Sequence, residues 1–189
     1  MIETERLVLR KWEPRDREFF ARLNSDPRVM EFLPGTLSQE ESDALADRVE
    51  AHFRDYGFGF YAVETRREQR FIGCLGLAVP AFAAHFTPCV EIGWRLSAEY
   101  WGQGLATEGA KAVVRHAFKV LGLGALVSFT VPMNVRSWRV MEKIGMRRDP
   151  SEDFDHPDLP EGHPLRRHVL YRLSRLEWEW RDTEEITQD

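Results

Sequence analysis

The chain has 189 residues, a length that suits one compact domain at roughly 100 to 200 residues each. With 43% hydrophobic and 12% aromatic residues, including 6 Trp and 12 Phe, it can bury a core without staples, which excludes intrinsic disorder and a disulfide scaffold. Lys plus Arg total 26 against 31 Asp plus Glu, and the net charge of −5 argues against broad nucleic-acid binding through charge.

Leu7 and Leu9 alternate with their neighbours as in a strand, and Pro14 stands where a helix carrying Phe19, Phe20 and Leu23 can begin. Ser38 and Glu41 form a capping box, and Leu45, Val49 and Phe53 continue a second helix until Gly57 and Gly59 break it. Phe58 to Glu64 and Phe71 to Ala78 read as a β-hairpin around the polar turn Arg66 to Gln69. Val90 to Leu96 is the next strand, and it runs into the segment Tyr100-Trp101-Gly102-Gln103-Gly104-Leu105-Ala106-Thr107.

Ala110, Val113, Val114, Ala117, Phe118 and Leu121 then follow the spacing of one helix face, with Gly122 as the stop. Ala125 to Val131 suits a buried strand, and Asn134 caps a short helix ending at Gly145. Arg148 to Arg167 reads as a long loop, His168 to Leu173 as a strand, and 175–189 as a frayed acidic tail behind a single domain over 1–174.

Cys74 and Cys89 are too few for a framework and read as reduced thiols, Cys74 as core rather than nucleophile. The N-terminus lacks a basic region followed by an apolar stretch, and no run approaches the ~18 apolar residues of a membrane helix, so a cytoplasmic chain without membrane contact is expected. His156, His163 and His168 lie too far apart, with Pro and Gly between them, to make a metal set, so no metal is expected.

A strand that delivers Gly102-Gln103-Gly104 into the first turn of a helix aims several backbone N–H groups into one concavity, where the helix dipole also favours an anion. Small residues there let a pyrophosphate approach the backbone, although a tight turn chosen for packing would look the same. No Lys-Ser or Lys-Thr follows the glycines, which excludes a P-loop. The helix begins by position 108 and Ala125 to Val131 offers no ribose-binding acid, so the dinucleotide fingerprint fails as well.

Glu91-Ile92-Gly93-Trp94-Arg95-Leu96, Tyr100 to Glu108, Asn134-Val135-Arg136-Ser137 and Glu142 to Met146 together resemble the GNAT superfamily of acetyl-CoA-dependent N-acetyltransferases, and more nearly its RimJ/RimL branch. The resemblance runs over about residues 2 to 173. It implies an α/β (α+β) fold with a central mixed, mostly antiparallel sheet, flanked by helices and splayed at the acetyl-CoA site. It further implies that the amides of Gly102, Gln103, Gly104, Leu105, Ala106 and Thr107 hold the CoA pyrophosphate, that the backbone of Trp94, Arg95 and Leu96 pairs with the pantetheine arm, and that Asn134 contacts CoA. The family's usual Arg or Gln at the start of the loop motif is Trp101 here, which fits that branch but removes a polar side chain from the phosphate site.

The implied reaction is direct transfer from thioester to neutral amine, which needs a base for the ammonium proton, a donor for the oxyanion and a partner for the departing thiolate. Glu91 is the candidate base, unless it merely pairs with an arginine on the strand face. A backbone N–H near Leu96 is the oxyanion donor. The family's tyrosine acid would fall at Met141, and Ser137 stands where the RimJ/RimL branch places a serine near the sulfur. Phe82, Phe86 and Trp138 are candidate acceptor-lining aromatics or plain packing. The expected acceptor is an amine, a protein N-terminus or small molecule. Dimers are common in that branch, which makes a homodimer one of its implications. A non-catalytic acyl-CoA-binding regulatory module of the same fold is the alternative.

Overall fold

The computed structural model describes residues 1–186, which divide into two compact units, Met1–Ala78 with Ile92–Val113, and Val79–Glu91 with the chain from Val114 onward.

The first unit carries β1 (Ile2–Glu3), β2 (Leu7–Arg10), β3 (Phe60–Thr65), β4 (Phe71–Ala78) and all but the first residue of β5 (Glu91–Leu96), side by side in that order. β1 to β4 pair antiparallel, with Leu7 opposite Thr65 and Phe60 opposite Gly76. Its helices are α1 (Asp16–Ser25), α2 (Pro27–Met30), α3 (Gln39–Tyr56) and the first part of α4 (Leu105–Lys119). The capping box is formed as read: the Ser38 hydroxyl accepts from Glu41 N at 3.2 Å, and Glu41 Oε2 accepts from Ser38 N at 2.8 Å. Phe20 and Leu23 of α1 and Ala46 of α3 pack on Ala62, Phe71 and Cys74 of the strands, the periodic apolar faces meeting in one core.

Gly73 sets how closely β4 and β5 approach. Its φ is +145°, and a Cβ there would stand 2.1 Å from the Arg95 carbonyl oxygen, so a side chain has neither the conformation nor the room. Ser97 N donates to Ile72 O at 2.8 Å beside this point.

The second unit carries β6 (Ala125–Thr130), β7 (Arg147–Arg148), β8 (Phe154–Asp155) and β9 (Arg167–Ser174). β6, β7 and β8 all pair antiparallel with β9, while Val127 of β6 takes Glu91, the first residue of β5, as a parallel partner. The expected mixed, mostly antiparallel arrangement with flanking helices is therefore present. The rest of α4, α5 (Val135–Lys143) and α6 (Arg175–Ile186) complete this unit. Phe86, Val127, Phe154 and Leu170 form its buried cluster.

Two segments differ from the sequence reading. The stretch 148–167 is partly regular, with a 3-10 turn at Pro150–Glu152 and β8 pinned to β9 by Phe154 opposite His168. The segment read as a tail is helical over Arg175–Ile186, because Trp178 packs on Phe118 at 5.5 Å and Arg181 donates to Gly145 O at 2.9 Å. Residues 187–189 of that segment lie outside the described residues.

Candidate active site

In the first unit, β5 ends at Leu96, a 3-10 turn follows over Ala98–Tyr100, and Gly102 and Gly104 take φ of +73° and +78° before α4 starts at Leu105. Both glycines are exposed, and a Cβ at Gly102 would meet nothing within 4 Å. Among the described residues, no acceptor takes the N–H groups of Gly102, Gln103, Gly104, Leu105, Ala106 or Thr107, and the first helical bond is Glu108 N to Gly104 O at 3.0 Å. Six consecutive free donors at the positive end of a 15-residue helix make an anion cradle.

The loop is fastened from both sides. Trp101 Nε1 donates to Leu96 O at 2.8 Å and Gln103 Nε2 to Glu99 O at 3.0 Å. The tryptophan that replaces a polar residue of the family motif thus ties the loop to the end of β5. Arg6 supplies the cation: its Nη1 donates to Gln103 O at 2.9 Å, and a Cβ built at Gly104 would lie 3.6 Å from its Nη2. Glu108 aims it, accepting from Arg6 Nε at 2.6 Å and from Thr4 Oγ1 at 2.6 Å. Burial pulls the Glu108 carboxyl upward, but the bonds from Thr4 and Arg6 outweigh it and hold it below the usual range.

Sequence reading missed Arg6. It lies 97 residues before Gln103, and only the tertiary placement of β2's leading edge brings it to the loop.

On β5, Trp94 and Arg95 are half-buried and Leu96 is buried, with the Leu96 carbonyl already bound by the Trp101 indole. The Arg95 side chain leaves the strand and donates from Nη1 to Asn24 Oδ1 at 2.5 Å.

In the second unit, Glu91 stands at the head of β5, partly buried, and among the described residues its carboxylate has no hydrogen-bond or ion-pair partner. The alternative expectation, a pairing with an arginine of the strand face, is not what the structure holds. Burial pushes its pKa up to about 8, near that of an α-amine, which suits a proton acceptor for an ammonium. Its neighbour Cys89 is pushed up to about 11 by burial and by Glu91 itself, leaving a thiol and not a thiolate. Cys74, in the first unit, is buried and likewise about 11, a core residue.

Asn134 caps α5 through its side-chain oxygen, which accepts from Ser137 N at 3.3 Å, and its amide donates to Thr130 Oγ1 at the end of β6 at 3.0 Å. The Ser137 hydroxyl is half-buried and has no partner among the described residues, so it is free to meet a ligand. Met141, where the family places tyrosine, is 1% exposed and belongs to the core.

Phe82 and Phe86 join Phe129, Phe154, His156 and His168 in a dense set of ring contacts, with Phe82 and His156 centred 4.5 Å apart and His156 and His168 5.2 Å apart. These rings order the loop. Trp138 is not part of this set; it donates to Pro132 O at 3.2 Å on α5. No helix of the described residues is long and apolar enough to cross a membrane.

Residues 6–147 match the family model for an acetyltransferase (GNAT) domain. The uncharacterized N-acetyltransferase YnaD of Bacillus subtilis is 30% identical over 178 residues, 94% of this chain and 98% of that protein. FsC-acetyl coenzyme A-N(2)-transacetylase of Aspergillus fumigatus is 32% identical over 190 residues, 94% of this chain and 77% of that protein. Among solved structures, a GNAT-family acetyltransferase of Bacillus anthracis is similar with a TM-score of 0.77 at 29% identity, covering 93% and 98% of the two chains. A spermidine N-acetyltransferase of Vibrio cholerae, solved with CoA and spermine, shares the fold at a TM-score of 0.73 and 17% identity, covering 93% and 99%.

Proposed function

The chain belongs to the GNAT acetyltransferase family and is an N-acetyltransferase, and from that premise we propose that it transfers an acetyl group from acetyl-CoA directly to a primary amine, as a cytoplasmic enzyme of the RimJ/RimL-like branch. The acceptor is a protein N-terminus or a small amine, and residues 1–174 act as the catalytic domain.

The observation that carries this reading is the row of six free amides from Gly102 to Thr107, with Arg6 beside them, a donor set that fits a pyrophosphate. Acetyl-CoA, when bound, supplies the acetyl thioester. The backbone of Trp94, Arg95 and Leu96 pairs with its pantetheine arm, in line with a parallel β5–β6 register at Glu91 and Val127. Glu91 accepts the ammonium proton, its raised pKa matching the amine it must deprotonate. A backbone N–H near Leu96 meets the carbonyl oxygen. Ser137, with its unengaged hydroxyl, meets the sulfur, and Asn134 holds the first turn of α5 in place while contacting CoA.

Incubation with acetyl-CoA and a panel of primary amines, followed by thiol release and by the mass of the amine, tests the reading. Acetylated amine is expected, with kcat lowered about 10²- to 10⁴-fold in Glu91→Gln. Tight acetyl-CoA binding with no transfer to any amine would instead support the non-catalytic acyl-CoA-binding module.

A further inference from the structure

Arg95 is the half-buried cation of the first unit that no acid neutralises. Its Nη1 is fixed by Asn24 Oδ1 at 2.5 Å, and Asn24 Nδ2 in turn donates to Ser42 Oγ at 2.9 Å. Asn24 and Ser42 are both 0% exposed, so this chain of bonds has no freedom to rearrange. Asn24 lies on α1 and Ser42 on α3, and together they hold the guanidinium in one orientation away from its own strand.

Every partner in this set is neutral. Among the described residues no carboxylate forms an ion pair with Arg95, and the titratable group that acts on it is the Cys74 thiol, itself held protonated by burial. Arg10 in the same unit shows the contrast, with Asp16 at 2.7 Å and Glu64 at 2.7 Å. Burial lowers the Arg95 pKa, the direction expected for a charge desolvated without an acid beside it.

A guanidinium has five N–H donors, and the fork made by Nε and Nη2 matches a carboxylate with two parallel bonds. Here that edge has no partner. The fully enclosed side-chain atoms without partners are Thr65 Oγ1 and Arg166 Nε among the described residues. Arg95 Nε and Nη2 are not of that kind, and Arg95 as a residue is only half-buried, so this unpartnered edge is not sealed off from solvent.

We propose that Arg95, oriented by Asn24 and Ser42, binds a carboxylate carried by the acceptor, so that the substrate class is an amine with an anionic group and not a polyamine. This rests on the acetyl-transfer reading above and narrows its acceptor. The anions of CoA have the Gly102–Thr107 amides and Arg6, a separate set of donors with its own partners. A polycation would meet an uncompensated positive charge at Arg95, which disfavours it.

The test uses matched pairs that differ only in the charge. N-acetylglycine and N-acetylglycinamide are titrated against the full-length wild type, Arg95→Gln and Arg95→Lys, and kcat/KM is measured in the same proteins for an amino acid and its amide. The expected result is binding of the acid but not the amide by the wild type, loss in Arg95→Gln, and an acid-to-amide kcat/KM ratio that falls from at least tenfold to about one. Arg95→Lys keeps the charge but loses the fork, so it is expected to retain an intermediate ratio. Equal use of acid and amide by the wild type, or a ratio that Arg95→Gln leaves untouched, overturns the proposal. So does weakened acetyl-CoA binding in Arg95→Gln at an unchanged ratio, which would assign the anion to CoA instead. Because the titration needs no turnover, N-acetylglycine binding that depends on Arg95 in a protein that acetylates nothing would uphold the anion site and sink the transferase reading.

Discussion

Replacing Glu91 with glutamine removes a titrating group while keeping its shape, and the structure states what this does to stability. Burial raises the carboxyl from 4.5 to about 8. An acid whose folded pKa stands above its unfolded value holds its proton more tightly when folded, so the stability linked to it is full below about pH 4.5 and is lost as pH rises through about 8. At ~1.36 kcal/mol per pH unit, that displacement would be worth about 5 kcal/mol in a fully dry site.

Glu91 is only partly buried, and water reaching it reduces this to about 1 to 2 kcal/mol. Glutamine carries no such cost. Glu91→Gln is therefore expected to match the wild type near pH 4.5 and to exceed it at pH 9 by about 2 to 8 °C in Tm. Thermal unfolding of both proteins from pH 4.5 to 9 measures the difference. Cys89, beside Glu91 and held at about 11, does not titrate in that window. A difference curve that is flat, or that falls with pH, refutes the burial argument and with it the case for Glu91 as a base tuned to an amine.

Three further outcomes follow from local geometry. Gly73→Ala places a Cβ 2.1 Å from Arg95 O at a φ of +145° and should cost about 3 kcal/mol or more, read by urea unfolding. Ser38→Ala removes one half of the capping box and should cost about 1 kcal/mol in the same assay, with acetyl-CoA affinity unchanged. Glu108→Ala frees Arg6 from the bond that aims it at the loop, so acetyl-CoA affinity should weaken several-fold by calorimetry, and more at high salt than at low.

Where the sequence was informative, the structural signal was local. The Ser38–Glu41 box, the Asn134 cap and the glycines before α4 each depend on residues within one turn of one another, and each stands where the pattern put it. The first strand and the hairpin are legible for the same reason, in the alternation at Leu7 and Leu9 and in the β-rich stretches on either side of the Arg66–Gln69 turn. What escaped is held by partners distant in sequence. β8 exists because Phe154 meets His168 and the ring cluster, α6 because Trp178 finds Phe118, and neither contact is visible in the acidic or polar composition of those segments.

The candidate site divides the same way. Glu91, Ser137 and the amides of the loop were legible by position, but Arg6 beside the loop and the Asn24–Arg95 bond are tertiary facts. In the sequence Arg95 stands out for its backbone alone; its side chain takes on a role through Asn24 of α1 and Ser42 of α3, which hold it without an acid.

If the loop before α4 binds the anionic end of acetyl-CoA, calorimetric titration of acetyl-CoA into the wild type and Gly104→Glu will separate the two proteins. Gly104 is exposed and a Cβ there would meet only Arg6 Nη2, at 3.6 Å, so a glutamate adds a carboxylate to the cradle beside its cation at the modest cost of a left-handed φ of +78°. The expected result is one-to-one binding by the wild type and none by Gly104→Glu, with both proteins folded by circular dichroism. Undiminished binding by the folded variant, or no binding by a folded wild type, would contradict it.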